Sequence, residues 1–293
     1  MPPVLPPTPT GGGFETVLVA DRGLLGARVV RTVQALGARA VTVHLDGEHG
    51  HGDESVLLGG PGSDADVVKV LEAARQAGAD AVHPGSGPLA AHPGFAAAVV
   101  EAGLVWVGPP AGSLGGTPVL PATRREVQWL GGAAVDERDV VDDLIVSSGP
   151  PPPCAAPLAG AVSGVVSVVG ELVVPHLTLG HIVTEEALGL DLVELQLRTA
   201  AGEDVPYEVV ARAAAGVVLR GTGTVERLSW PEGVRVETAC REGAAVPPDG
   251  VVAVLAVAAS TTALALDALR AALAQTVVEG VALVVPDLER TRA

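Results

Sequence analysis

Residues 17–44, VLVADRGLLGARVVRTVQALGARAVTVH, contain the pattern that decides the fold. The runs TVLVA (16–20) and RAVTVHL (39–45) are rich in residues that favour strands. Between them, LLGARVVRTVQAL (24–36) places apolar residues at helical spacing, and the glycine that follows is typical of a helix C-terminus. A strand–helix–strand order predicts parallel strands covered by helices.

The same order continues to about residue 113. It predicts a helix at 64–77 begun by Ser63 or Asp64 and ended by Gly78, strands at 80–84 and 104–109, and a helix near 94–102. Residues 14–113 are therefore expected to form an α/β domain with a parallel, Rossmann-like sheet. The Pro- and Gly-rich residues 1–13 predict a flexible arm.

The second half of the chain has a different pattern. It predicts a strand at 125–132, an irregular connection at 147–157, a helix at 187–202, and a small antiparallel sheet from 216–221, 223–230 and 234–243. Residues 251–280 are apolar enough to suggest a membrane span, but polar and charged residues interrupt them. A buried strand followed by a helix capped by Ser260 is the preferred interpretation.

Composition excludes several classes of function. The formal net charge of −16 argues against nucleic acid and anionic membranes as partners, because both need clustered Lys and Arg. Cys154 and Cys240 give no disulfide framework, and no signal-peptide pattern precedes the first strand, so a cytoplasmic protein is expected. Lys69 is the only lysine, whereas many phosphate sites place a lysine on the nucleotide.

Three blocks in the chain resemble the biotin carboxylase family. Residues 17–44 resemble its opening strand, Asn-Arg-Gly turn and first helix, and residues 71–110 its His-Pro-Gly-Tyr-Gly loop with flanking helix and strand. Residues 180–206, GHIVTEEALGLDLVELQLRTAAGEDVP, resemble the segment that begins Glu-His-Pro-Val-Thr-Glu. The resemblance implies a pre-ATP-grasp domain at 14–113, a shortened ATP-grasp remnant at 114–179 and an α+β C-terminal domain at 180–293.

The chain departs from this family where the chemistry takes place. The stretch between Pro110 and Arg124 is too short for the family's glycine-rich lid over the phosphates. The family's magnesium-binding glutamate, asparagine, arginine, glutamine and general-base glutamate are replaced by Leu172, Val174, His176, Thr178 and Gly180. Leucine and valine offer magnesium no oxygen, and a glycine removes no proton. Glu185 and Glu186 match structural positions, where a carboxylate favours the start of a helix.

A residual ligand pocket is the second interpretation of the same residues. In the loop that matches His-Pro-Gly-Tyr-Gly-Phe, Ser86 and Pro88 replace aromatic residues. The resemblance places this loop near the arginine that faces biotin and bicarbonate, which matches Arg212 here. The candidate lining for a small anion or a nucleotide fragment is His83, Gly85, Ser86, Gly87, His181 and Arg212.

Two further motifs allow both a ligand-binding and a simpler interpretation. HLDGEHGHGDE (44–54) has the residues for a transition metal, but histidines flanked by glycine in a loop are usually solvated, and no metal is expected. DRGLLG (21–26) could cradle phosphate at a helix N-terminus. It lacks the Gly-x-Gly-x-x-Gly pattern and carries Asp21, so a structural role for Arg22 and Gly23 is preferred.

Arg28 and Arg31 lie three residues apart and share one face of the first helix. The matching helix of the family contributes basic residues to the biotin carboxylase dimer interface. The simpler interpretation is a solvated pair, and the sharper one is a retained interface with a second copy or with carboxylase subunits.

The function expected from the sequence is a non-catalytic, biotin-carboxylase-like subunit in an acyl-CoA carboxylase-type complex. It would have no cofactor and no catalytic residues of its own. A nucleotide- or anion-binding module is the first alternative. A composite enzyme, completed by a partner chain, is the second.

Overall fold

The computed structural model describes residues 13–48, 50–114, 122–130, 133–149, 165–169, 172–174, 176–203 and 212–288. The side chains of some of these residues, including 165–169 and 172–174, are not described. The arm at 1–12, most of the connection at 147–157 and His49 lie outside the described residues.

A five-stranded parallel sheet forms the N-terminal part, as predicted. Its strands are β1 (Thr16–Val19), β2 (Arg39–Leu45), β3 (Glu54–Gly59), β4 (Ala81–His83) and β5 (Val105–Trp106), in the order β3-β2-β1-β4-β5. Its helices are α1 (Leu24–Ala35), α2 (Val67–Gln76) and α3 (Pro93–Glu101). Buried Val, Leu and Ala fill the space between the sheet and the helices, because the chain has few aromatic residues.

Two details of this part differ from the prediction. Strand β3 was not anticipated; it pairs with β2, and tertiary pairing stabilises a run too short to be distinctive on its own. Helix α2 begins three residues later than predicted, because Asp66 rather than Ser63 or Asp64 caps it by accepting from the backbone N–H groups of Val68 and Lys69.

A nine-stranded sheet forms the rest of the molecule. Its strands are β6 (Thr123–Leu130), β7 (Ala133–Val141), β8 (Leu144–Gly149), β9 (Val165–Val169), β10 (Leu172–Val174), β11 (Ala213–Ser229), β12 (Arg235–Glu237), β13 (Val251–Ala259) and β14 (Val277–Val284). The order is β10-β9-β6-β7-β8-β11-β13-β12, with β14 also paired to β11. The sheet is larger than predicted because β8 pairs with β11 and so joins the middle of the chain to its C-terminal part.

Three predictions for this second half are corrected. The two strands expected at 216–221 and 223–230 are the single strand β11, which absorbs a register shift against β14 after Gly223, a residue with φ of 131°. The helix expected at 187–202 is replaced by α4 (Gly180–Leu188) and α5 (Leu192–Ala200), separated at Gly189, which has φ of 67°. Helix α6 (Thr262–Gln275) follows β13 and is capped by Thr261 rather than Ser260.

Candidate functional site

Gly180, the first residue of α4, lies where the sequence suggested a lost catalytic residue. A Cβ atom at this position would lie 2.6 Å from Nε of Arg138 and 3.2 Å from Oε2 of Glu126. The first distance is shorter than real Cβ contacts, so even an alanine would force its neighbours to move. The space beside Gly180 is therefore filled by an ion pair.

Arg138 on β7 and Glu126 on β6 form that ion pair, and both side chains are 0% exposed. The guanidinium donates to Oε2 of Glu126 from Nε at 2.6 Å and from Nη2 at 2.5 Å. Arg124 donates to the other carboxylate oxygen at 2.6 Å. Burial alone would raise the pKa of Glu126, but the two arginines outweigh it and hold that pKa at about 2.

Other polar groups around the pair bind one another. Nη1 of Arg138 donates to the side-chain oxygens of Gln128 at 3.2 Å and Thr184 at 2.6 Å. The carboxylate of Asp136 accepts from Thr184 at 2.5 Å and from Ser147 at 2.6 Å. We name these six residues (Glu126, Gln128, Asp136, Arg138, Ser147 and Thr184) the Arg138 cluster. These hydrogen bonds join members of the cluster to one another, as expected of a polar core that contributes to the fold.

His181 is buried next to this cluster. Its Nδ1 accepts from the backbone N–H of Thr178 at 2.9 Å, and its Nε2 has no partner among the described residues. Burial, followed by the charge of Arg138, lowers the pKa of His181 to about 3. Burial also lowers the pKa of His176, whose Nδ1 lies 2.9 Å from the carbonyl oxygen of Leu177. Both rings are therefore neutral at pH 7.

Polar groups of the loop expected to line a ligand pocket are hydrogen-bonded to other parts of the chain. Nε2 of His83 lies 3.2 Å from Oε1 of Gln196, and its Nδ1 accepts from the N–H of Gly85 at 3.0 Å. Burial lowers the pKa of His83 to about 4. The backbone N–H and the hydroxyl of Ser86 both donate to Asp21, at 2.7 and 2.9 Å.

The other residues of the candidate pocket are Gly87 in the same loop, His181 on α4 and Arg212 ahead of β11. Gly87 is partly exposed, and a Cβ there would lie 2.8 Å from the carbonyl oxygen of Ala20. Arg212 is exposed and donates to the carbonyl oxygen of Glu186 at 3.3 Å. Within the described ranges, no hydrogen bond joins the loop at 83–87 to His181 or Arg212.

Arg28 and Arg31 differ in their surroundings. The side chain of Arg28 is 7% exposed, and its Nη2 lies 3.0 Å from Glu185 and 2.8 Å from Asp191. Burial opposes the charge of Arg28, but the two carboxylates outweigh it and raise its pKa. Arg31 is 46% exposed and pairs with Glu237.

Arg235 on β12 completes this second group, which we name the Arg28 cluster (Arg28, Glu185, Asp191, Arg235 and Glu237). Arg235 donates to Glu185 at 2.5 Å and to Glu237 at 2.9 Å. Glu185 also accepts from the N–H of Leu192, the first residue of α5. The prediction that Glu185 and Glu186 begin a helix is wrong, because both lie in the last turn of α4; Glu185 instead stabilises the start of the next helix.

Sequence reasoning missed the acidic and basic partners in both clusters. The available signal was a charged residue inside an otherwise strand-like run, as in REVQW (125–129) and VRVE (234–237). A charge at a position that alternation assigns to the sheet interior requires a partner. The identity of that partner depends on strand pairing, which a single run does not reveal.

The motifs at 21–26 and 44–54 share an ion pair. Arg22 pairs with Glu48 and, at 2.8 Å, with Asp64, so its charge is bound to carboxylates of its own chain. Within the described part of the chain, no group of three or more His, Cys, Asp or Glu side chains is placed to hold a metal ion. The described helices also include none with the length and hydropathy of a membrane span.

Comparison with known proteins agrees with this architecture. The model of the biotin carboxylase N-terminal domain matches residues 13–114, and that of the biotin carboxylase C-terminal domain matches residues 209–291. A biotin carboxylase from Halalkalibacterium halodurans is 27% identical over 423 aligned residues, covering 94% of this chain and 93% of that protein. That alignment is longer than this chain, so the relative contains a long segment without a counterpart here.

Two other similarities cover different shares of the related proteins. The alpha3 subunit of a biotin-dependent acyl-coenzyme A carboxylase from Mycobacterium leprae is 44% identical over 101 residues, which are 32% of this chain and 17% of that subunit. The biotin carboxylase domain of the Hydrogenobacter thermophilus 2-oxoglutarate carboxylase superposes with a TM-score of 0.77 at 20% identity, covering 93% of this chain and 92% of that one. The latter shows a shared fold. With both terminal domains matched and a biotin carboxylase aligned along most of its length, this chain belongs to the biotin carboxylase family.

Proposed function

We propose that this chain is a non-catalytic member of its family, with a structural or regulatory role in an acyl-CoA carboxylase-type assembly. The observation that carries the proposal is the ion pair that fills the space at Gly180. A general base needs a carboxylate that can reach the substrate. Here the nearest carboxylate, Glu126, is fully buried and bound by two arginines.

The residues present do not fit a magnesium nucleotide. The positions that correspond to the family's metal-binding glutamate and asparagine hold Leu172 and Val174, which have no oxygen in their side chains. The one lysine, Lys69, donates to Ser63 at 2.8 Å on the parallel-sheet part of the chain. The 2-oxoglutarate carboxylase domain was solved with MgADP and bicarbonate. For this chain we derive no step through either ligand.

We further propose that residues 114–179 are a shortened remnant of the family's ATP-grasp domain, between domains at 14–113 and 180–293. Their place between the two matched segments supports this, as does the long unmatched segment of the Halalkalibacterium enzyme. In this proposal, β6 to β8 keep the sheet continuous while the nucleotide-covering part is lost.

Catalysis is tested with the purified chain in an assay of ATP hydrolysis that depends on biotin and bicarbonate. We expect no turnover above a heat-treated sample. Turnover that disappears on heating would refute the proposal.

The assembly role is tested by tagging the chain in its native cell and identifying co-purified proteins. Stoichiometric recovery of carboxylase subunits supports the assembly role, and recovery of the chain alone contradicts it.

The ligand-binding alternative is distinguished by thermal-shift measurements with nucleotides, biotin, bicarbonate and acyl-CoA. A ligand that binds only the folded chain raises the unfolding temperature. We expect no shift, since the donors of the loop at 83–86 are bound by Asp21 and Gln196. A saturable shift with any of the four would favour the binding module. A composite enzyme would show turnover only after a partner chain is added.

A further inference from the structure

A cavity of about 200 Å³ lies between α1 and α5, away from both charged clusters. Polar and apolar atoms share its wall, and the apolar side chains come from Val33 on α1, Leu36 after it, Leu197 on α5, Ala201 at the end of α5 and Phe14 ahead of β1. Val33 and Leu197 belong to the main hydrophobic core, so the cavity extends inward from the surface to that core.

The mouth of the cavity has one cation, Arg198, and one carboxylate, Glu203. Nε of Arg198 lies 2.9 Å from Glu194, and its Nη1 lies 3.7 Å from Glu203, which is beyond hydrogen-bond distance. The guanidinium has five N–H groups, so most of its donors remain free for an oxygen atom at the mouth. Arg198 is 41% exposed, and such an atom could be reached from solvent.

We propose that this cavity binds a medium-length acyl chain, with the chain in the apolar interior and a carboxylate or carbonyl oxygen accepting from Arg198. An aliphatic cavity of about 150 Å³ holds benzene, so the present volume suits a chain of about six to eight carbon atoms. Binding sites of this kind combine an apolar lining with a small number of polar groups that fix orientation. The proposal is independent of catalysis and of the assembly role.

The test is titration of the full chain with hexanoate and octanoate, followed by saturation-transfer NMR and calorimetry. We expect saturable binding with a Kd of about 1 mM, which is ordinary for ligands of so few atoms. Succinate, which has carboxylates without the chain, should not bind. Equal responses to succinate and hexanoate, or no saturation at tens of millimolar, would overturn the proposal.

A filling variant locates the site. Ala201 lines the cavity and has ordinary helical backbone angles, so Ala201→Leu adds carbon atoms to the cavity without backbone strain. We expect hexanoate binding at least tenfold weaker and an unfolding temperature equal to or above that of the parent, because filling a cavity stabilises. The matched control is Ala271→Leu on the exposed face of α6, which should bind as the parent does.

A head-group variant tests orientation. Arg198→Met should weaken hexanoate binding about threefold to tenfold, the range for losing one charge-assisted contact at a partly exposed site. Unchanged affinity in Ala201→Leu means that the fatty acid binds elsewhere and the assignment fails. Unchanged affinity in Arg198→Met alone refutes the proposed orientation.

Discussion

The Arg138 and Arg28 clusters use the same chemistry for different purposes. Each buries an arginine against carboxylates, with Arg138 0% and Arg28 7% exposed. The Arg138–Glu126 pair joins residues 12 positions apart on neighbouring strands, whereas the Arg28–Glu185 pair joins residues 157 positions apart. The Arg138 cluster lies between strands β6, β7 and β8 and helix α4. The Arg28 cluster links α1 to the second half of the molecule.

Both clusters meet the conditions under which buried charges are tolerated, but at different places in the fold. A buried charge is tolerated when it is paired and hydrogen-bonded, and removal of one partner is strongly destabilising. In the Arg138 cluster these conditions are met beside Gly180, where the proposal places a lost catalytic group. In the Arg28 cluster they are met where the two halves of the chain pack together.

The largest expected effect is that of Arg138→Met. It leaves the carboxylate of Glu126 buried without its fully buried arginine partner, so the free energy of unfolding should fall by about 3–5 kcal/mol. Urea denaturation followed by circular dichroism measures the change. The control is Arg125→Met on the neighbouring strand β6, where the arginine is 63% exposed and should contribute less than about 1 kcal/mol. Similar losses in both variants would show that burial does not distinguish these arginines.

Arg28→Met should cost somewhat less, about 3 kcal/mol, because Arg235 continues to neutralise Glu185. The loss should also uncouple the two halves of the molecule, which appears as a second transition or a lower slope with urea. A loss confined to tenths of a kcal/mol would mean that the Arg28 cluster does not fasten α1.

Gly180→Ala tests the space beside the Arg138 cluster. The added Cβ would meet Nε of Arg138, so we expect a loss of about 1–3 kcal/mol, although alanine normally favours a helix. The matched control is Gly112→Ala, where a Cβ meets nothing within 4 Å. If Gly180→Ala proves as stable as its control, the space is open and the main support for the proposed function is lost.

Stability should fall with acid below pH 6.5. The folded pKa values of His83 and His181 are about 4 and about 3, against 6.5 in the unfolded chain, so only the unfolded chain takes up these protons between pH 6.5 and 4. Each histidine then lowers the free energy of unfolding by about 1.4 kcal/mol per pH unit. Urea midpoints from pH 7.5 to 4.5 measure the slope. His83→Gln should reduce it, and an unchanged slope would show that His83 does not contribute.

The smallest expected effect on stability is that of Arg31→Glu. Arg31 is half-exposed, and the buried Glu237 keeps Arg235 as a partner, so the change should cost about 1 kcal/mol or less, although it places a second acidic group beside Glu237. Arg31 is the better probe of the predicted interface, since Arg28 is bound within its own chain. A smaller mass by light scattering, with an unchanged circular dichroism spectrum, would locate the interface on α1. An unchanged mass in an oligomeric protein would exclude Arg31 from the contact.

The sequence by itself determined the local elements and the residue types at the positions that resemble the family's catalytic segment. Apolar spacing and β-rich runs were sufficient for β1, α1, β2 and the parallel sheet, because each signal lies within one segment. The replacements at Leu172, Val174 and Gly180 were visible in the same way, since the presence or absence of a functional group depends only on residue identity.

The tertiary structure alone decided which segments meet. It joined β8 to β11 in one sheet, divided the helix expected at 187–202 at Gly189, and brought Glu185 to Arg28. It also placed Arg138 in the space beside Gly180. These contacts connect residues far apart in the chain, and their free energy arises from burial and pairing after the chain has folded. A local sequence pattern gives no information about such contacts. The sequence can therefore show that a glycine occupies position 180 without showing that Arg138 lies beside it.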